Sequence, residues 1–217
     1  MAGGSGDRLG LGTPKAFVEI AGRSILSIAV ENVSQAPEIS SIVVVVPSGS
    51  EEIARTLLAE LPAVTVVAGG VSRHASVAAG LSAVEPLPDR VVVHDAARPF
   101  ASPKLFAAVL DALDGWDGVV PVLPPADTVK RVRDGAVVAT ELREELGLAQ
   151  TPQAFRGWAL LEAHHRATEA GRAFTDDAAC LEWAGFRVCV VEGEPANFKI
   201  TTVEDLRRAG VADRGRT

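Results

Sequence analysis

The chain of 217 residues is short of cysteine, of net positive charge and of long apolar runs. Its two cysteines, Cys180 and Cys189, stand at a spacing that matches no metal or redox motif. Both lie in apolar sequence and read as reduced, buried packing residues, which points to the cytoplasm as the compartment. The formal net charge is −7 at pH 7, and an acidic chain does not suit non-specific nucleic-acid binding, which relies on clustered Lys and Arg. No apolar run approaches the ~20 residues that cross a bilayer, so no membrane partner is expected. No basic leader followed by an apolar core opens the chain. Hydrolase signatures are absent too. His164 and His165 fall in the middle of a helical segment without partner spacing, and context suggests no Cys–His or Ser–His pair.

What is present is an apolar fraction of 47%, ample for a single α/β domain over 1–217 with a modest appendage. Continuous β-branched runs at 42–46, 64–67, 90–93, 118–122 and 187–191 read as strands covered on both faces. Helical segments separate them. The stretch 51–61 carries acidic residues in its first turn and Pro62 just beyond its end. Similar segments follow at 72–84, 103–113, 156–170 and 177–184, the last closed by Gly185. Strands alternating with helices imply right-handed crossovers and a doubly wound, mostly parallel, Rossmann-like sheet. Residues 125–150 break that rhythm. There, Asp134-Gly135 between two short β-branched runs predicts a hairpin arm projecting from the sheet. The tail after Val211 is polar and expected to fray.

Four groups of residues carry the chemistry. The first is Ala2-Gly3-Gly4-Ser5-Gly6-Asp7-Arg8-Leu9-Gly10, followed by Pro14-Lys15. Closely spaced glycines let backbone N–H groups approach an anion, and Arg8 and Lys15 add formal charge. It is neither a Walker A loop, lacking the Gly-Lys-Ser/Thr ending, nor a dinucleotide fingerprint, since Leu9 replaces the third glycine. Such a loop ordinarily follows a buried strand, yet Met1 directly precedes it. Either the chain begins late or its start is misassigned; if the strand is absent, the sheet lacks an interior strand and the loop loses its anchor.

The second group, Gly69-Gly70-Val71-Ser72-Arg73-His74-Ala75-Ser76, sits where a strand gives way to a helix, the edge at which open α/β sheets bind ligands. Backbone amides and the Ser76 hydroxyl can read a base edge there, or Ser72 can simply cap the helix. The third, His94-Asp95-Ala96-Ala97-Arg98-Pro99, places Asp95 at a strand exit, suited to a Mg²⁺ that keeps most of its waters. Arg98 can hold a phosphate through both guanidinium arms, or the two can form a cap and ion pair. The fourth group comprises Asp127-Thr128-Val129-Lys130, Gln150-Thr151-Pro152-Gln153, Thr175-Asp176-Asp177 and Asn197-Phe198-Lys199-Ile200-Thr201. Each alone also reads as a turn or cap.

In order and together, these motifs resemble the 2-C-methyl-D-erythritol 4-phosphate cytidylyltransferases over almost the whole chain. The resemblance implies that backbone groups of Ala2, Gly3, Gly70 and Val71, with the Ser76 side chain, hold the cytosine of CTP. Gly4, Ser5 and Gly6 wrap the triphosphate, and Arg8, Lys15 and Lys199 surround the α-phosphate as the catalytic cations. Asp95 binds Mg²⁺. Asp95, Arg98 and Thr175 meet the polyol phosphate. It also implies a homodimer joined through the arm, with Thr128, Thr151 and Arg143 in substrate-binding positions and Arg143 reaching across the dimer. Val71 stands where the family often has an acidic residue, a change that spares backbone recognition. The same chemistry on ribitol 5-phosphate or another polyol phosphate, a sugar-1-phosphate nucleotidyltransferase, and a nucleotide-binding protein with a degenerate site are the alternatives.

The chemistry expected is in-line attack by an acceptor phosphate oxygen on the α-phosphorus of CTP. The acceptor is already ionised at neutral pH, so the barrier lies in bringing two polyanions together.

Overall fold

A computed structural model describes residues 1–3, 14–61 and 63–214, with side chains to Gly210. The strands are β1 (Glu19–Ile20), β2 (Arg23–Ser24), β3 (Ile42–Val46), β4 (Val64–Ala68), β5 (Arg90–Val93), β6 (Gly118–Leu123), β7 (Lys130–Arg133), β8 (Ala136–Thr140), β9 (Leu148–Ala149), β10 (Gln153–Arg156) and β11 (Val188–Glu192). The helices are α1 (Ile25–Ser34), α2 (Glu51–Leu57), α3 (Arg73–Ser82), α4 (Pro103–Asp111), α5 (Gly157–Glu169), α6 (Asp177–Trp183) and α7 (Val203–Arg214). The five β-branched runs all form strands. Of the elements without such a run, β10, the β1–β2 hairpin, α1 and α7 had no forecast. The segment after Val211, expected to fray, continues α7 to Arg214.

In the main sheet the order is β11–β6–β10–β5, with β9 also on β6. Strands β6 and β11 pair parallel, whereas β10 runs antiparallel to both β5 and β6. Strands β5, β6 and β11 therefore share one direction, with β10 reversed between β5 and β6 and the short β9 reversed beside the end of β6. Strands β3 and β4 form a separate parallel pair. Helices cover both faces. Val77, Leu81, Leu160, Ala163 and Leu181 pack on Val93, Val120 and Phe155 on one face, while Val109, Leu110 and Leu113 pack on Val119 and Ala154 on the other. Continuous apolar strands are what two covered faces require.

Between β3 and β5 lies a cavity of about 630 Å³, lined by both strands, by Leu26 and Val30 of α1, by Leu81 of α3 and by Phe106 of α4. This is the interior gap that the sequence led us to expect. The expectation of an unanchored loop needs correction. Met1 and Ala2 occupy one end of the gap and bridge it. The Ala2 N–H donates to Val45 O (2.8 Å), the Ala96 N–H donates to Met1 O (2.9 Å), and the Met1 amine donates to His94 O (2.6 Å). Burial pushes the pKa of that amine down.

The hairpin forms as its turn residues dictate. Asp134 and Gly135 both take positive φ, 49° and 79°, the twist that joins two antiparallel strands tightly. A register shift falls between Arg131 and Val132. The arm keeps Val132, Val137 and Val138 exposed, along with Leu142 and Leu148 on the return.

Candidate functional site

A cleft of about 300 Å³ opens beside the bridged end of the gap, lined by Ala2, Gly3, Lys15, Gly70, Val71, Ser72, Arg73, Ser76, Asp95, Thr175 and Lys199 among others. Residues up to 198 positions apart in the chain, Met1 and Lys199, thus share one wall system.

The first wall is the turn from β4 to α3. Ser72 caps α3, its hydroxyl accepting from the Ala75 N–H at 3.1 Å. One turn on, the Ser76 hydroxyl accepts from the Gly70 N–H (3.1 Å) and donates to Ser72 O (2.8 Å). Ser72 is thus the cap, and Ser76 fixes the glycine turn. The turn has no room for side chains. A Cβ on Gly70 would stand 2.4 Å from that of Ala75, and one on Gly69 would stand 2.8 Å from Ser76 Oγ. Val71 is fully exposed at the lip.

The second wall follows β5. Asp95 is fixed through its backbone, whose N–H donates to Thr151 Oγ1 at 3.0 Å. That hydroxyl in turn faces His94 Nδ1 at 3.0 Å, and His94 Nε2 faces Arg98 O at 3.1 Å. Burial lowers the His94 pKa to about 4, so the ring is neutral. With Thr151 accepting from Asp95, its own O–H donates to Nδ1, and the ring proton sits on Nε2. A sequence Thr–His–carbonyl thus locks the loop that carries Asp95.

The Asp95 carboxylate accepts from Lys199 Nζ at 2.6 Å and has Arg73 at 3.9 Å. Burial pushes this carboxyl up, but Lys199, Arg73 and the N-terminal amine outweigh burial and hold it at about 2. Lys199 reaches the cleft because its segment is pinned. Asn197 Nδ2 donates to Thr151 O (2.8 Å) and to Gln150 Oε1 (3.0 Å), and the Ile200 N–H donates to Ala97 O (2.8 Å). Lys15 donates from Nζ to Ile200 O at 2.9 Å, so the two lysines flank one stretch of backbone.

Arg73, a member of the glycine-turn motif that received no role from the sequence, bridges walls. Its guanidinium lies 2.6 Å from Asp177 and 3.9 Å from Asp95. Asp177 is buried and accepts from His164 Nε2 at 2.9 Å. His164, expected to lack partners, is therefore a buried, bonded residue. Its position beside Asp177 was invisible because the pair spans two helices. Asp176 caps α6 through the Ala179 N–H (3.0 Å), as its bland reading had it, and accepts from Gln153 Nε2 (2.8 Å).

Four expected site residues are placed elsewhere. The Arg98 guanidinium donates to Asn197 O (2.9 Å) and Ala149 O (3.1 Å), so backbone carbonyls occupy both of its arms. Thr128 and Arg143 belong to the exposed arm, with Arg143 donating to Ala126 O at 3.3 Å. Thr151 is buried behind Asp95. Gly4, Ser5, Gly6 and Arg8 lie outside the described residues. The Asp95 carboxylate, ionised and facing the cleft, is an oxygen donor of the kind a hard divalent cation takes. A cation there would share it with Lys199.

Comparison with known proteins fits this geometry. The profile of "2-C-methyl-D-erythritol 4-phosphate cytidylyltransferase" (IspD) matches residues 1–212. A bifunctional IspD/IspF enzyme of Rhodopseudomonas palustris strain HaA2 is 44% identical over 211 residues, covering 96% of this chain and 53% of that protein. Another from Nitrobacter hamburgensis is also 44% identical, covering 96% and 52%. The chain thus spans about half the length of these curated relatives. Among solved structures, the 4-diphosphocytidyl-2C-methyl-D-erythritol synthase of Anaerococcus prevotii superposes with a TM-score of 0.87 at 32% identity, covering 95% of this chain and 93% of that one. The cytidylyltransferase of Thermus thermophilus gives 0.79 at 37%, covering 93% and 94%. The chain belongs to the 2-C-methyl-D-erythritol 4-phosphate cytidylyltransferase family, IspD.

Proposed function

We propose that this chain transfers CMP from CTP to 2-C-methyl-D-erythritol 4-phosphate, giving 4-diphosphocytidyl-2-C-methyl-D-erythritol and pyrophosphate, a step of isoprenoid precursor synthesis. The observation that carries the proposal is the meeting of Lys15, Asp95 and Lys199 in one cleft with the Gly70–Ser76 turn. Two polyanions must touch there, and cations fixed in advance lower the cost of bringing them together.

Each residue has a part that its surroundings support. The Gly70 turn, held by Ser76, presents backbone groups at a distance that only glycine permits, and with Ala2 and Gly3 it takes the base. Lys15 and Lys199, joined by Arg8 of the glycine-rich segment, draw the α-phosphoryl oxygens and hold the attacking phosphate oxygen in line. Asp95 would hold Mg²⁺, which when bound would neutralise charge on the phosphates. Thr175, exposed at the cleft rim, takes the polyol phosphate. Arg98 and Thr151 act from behind. They fix the Asp95 and Lys199 segments through backbone bonds, whereas the resemblance implied direct substrate contacts for both. The exposed valines of the arm supply an apolar surface for a homodimer, in which Thr128 and Arg143 complete a partner's cleft.

Mixing the protein with CTP, Mg²⁺ and 2-C-methyl-D-erythritol 4-phosphate should release pyrophosphate. Release with ribitol 5-phosphate instead would keep the chemistry and change the acceptor. Release with neither would overturn the reading.

A further inference from the structure

Behind the cleft wall, three helices bring His74, His164 and Cys180 together. One ligand atom of each lies within 4.8 Å of those of the other two. His74 and His164 stack with ring centroids 4.2 Å apart. Cys180 follows Asp177 by three positions on α6, so both face α5. Nothing in the proposed transfer uses this cluster.

His164 shows an unmet need. It is 4% exposed. Its Nε2 is 2.9 Å from Asp177 Oδ1, and the other oxygen of that carboxylate is 2.6 Å from the Arg73 guanidinium. A carboxylate held by a guanidinium on one side accepts from Nε2 on the other. Nδ1 is buried and without a hydrogen-bond partner among the described residues. Buried polar atoms of that kind are few and call for a partner. A carboxylate holding one nitrogen of an imidazole while the other stays open is the arrangement by which proteins orient a metal-binding histidine.

We propose that His74, His164 and Cys180 form a site for a borderline-soft divalent cation, Zn²⁺. Two imidazoles and a thiolate suit Zn²⁺ and reject Mg²⁺, which takes oxygen donors. Tetrahedral zinc, with bonds of ~2.0–2.3 Å, needs its ligand atoms roughly 3.3–3.8 Å apart. The rings are stacked and nearly parallel, 13° apart, and an ion lies in the plane of each imidazole that ligates it, so a turn of one ring together with a closure of about an ångström is required. His74 can supply it. It is half-buried, and its Nε2 is held by Thr168 Oγ1 at 2.9 Å. Its solvent side leaves the fourth position to water. Binding converts the Cys180 thiol to a thiolate, and the proton goes to solvent. The ion would clip α3 to α5 and α6. The same Asp177 that orients His164 grips Arg73 in the cleft, so the clip would stiffen that wall.

The test uses tag-free, metal-stripped protein titrated with Co²⁺ by absorption and with Zn²⁺ by calorimetry in two buffers of different ionisation enthalpy. One ion should bind per chain, with a thiolate-to-cobalt band and net proton release, and the thermal midpoint should rise. Cys180→Ala should abolish the band and weaken Zn²⁺ binding at least tenfold, and His74→Ala should weaken it likewise, while Cys189→Ala and His165→Ala leave both intact. Should His164→Ala fail to fold, the Cys180 and His74 variants decide alone. Absence of saturable binding, a band that survives Cys180→Ala, or binding lost in His165→Ala would overturn the site.

Discussion

Lys199 Nζ lies 2.6 Å from Asp95 Oδ2, an ion pair between residues 104 positions apart in the chain that closes one side of the cleft. The Asp95 pKa falls from 3.8 to about 2 on folding. A depressed carboxylate stabilises the fold above its unfolded pKa, and that stability is lost as pH falls through the folded value. Between pH 5 and pH 3 the native protein should lose ~1 kcal/mol that an Asp95→Asn variant does not lose. Denaturant unfolding at the two pH values measures this, and equal losses in both proteins would refute the pairing.

Arg98 gives a different kind of prediction. Its arms hold the carbonyls of Asn197 and Ala149. Arg98→Ala should therefore destabilise the fold by ~2 kcal/mol and lower turnover through misplacement of Lys199. If it only raised the KM for the polyol phosphate and left the denaturation midpoint untouched, Arg98 would be a ligand contact after all.

The arm separates from the cleft in one chain, and its valines are exposed. Arg143→Ala should leave the CTP KM unchanged and raise that of the polyol phosphate by tenfold or more. A change confined to the CTP KM would remove Arg143 from the acceptor side. A charged pair, Val132→Asp with Val137→Asp, should shift the protein toward monomer in sedimentation velocity.

The gap between β3 and β5 predicts that an engineered strand stabilises the fold. A five-residue Val/Ile segment placed ahead of Met1 would fill an apolar cavity of about 630 Å³. Each kcal/mol gained corresponds to ~2–4 °C in a domain of this size, and we expect a rise of at least ~5 °C. A Gly/Ser segment of equal length should give little. Equal effects from the two would show that the gap does not take a strand.

Much of this architecture was legible because its cause is local. The β-branched runs of β3 to β6 and β11 signal two covered faces, Asp134-Gly135 signals its turn, and Ser72 and Asp176 signal their caps. Strand β10 was not legible. Gln153-Ala-Phe-Arg has no β-branched run, and its place between β5 and β6 is set by non-local pairing. The cleft lysines and Asp95 were found through ordered motifs. Arg98 shows the limit of a motif, because a guanidinium that can hold a phosphate can equally hold two carbonyls, as it does here. The Asp177–His164–His74 group escaped notice, since its members come from three helices with no sequence spacing in common.

The central claim is that fixed cations in this cleft lower the barrier to cytidylyl transfer. The most direct test is the turnover of purified Lys15→Ala, followed by pyrophosphate release at saturating CTP and 2-C-methyl-D-erythritol 4-phosphate, with circular dichroism to verify the fold. Loss of one such donor typically costs ~3–4 kcal/mol of barrier, so turnover should fall by ~100-fold or more with the fold intact. Turnover within a few-fold of the native protein would contradict the account.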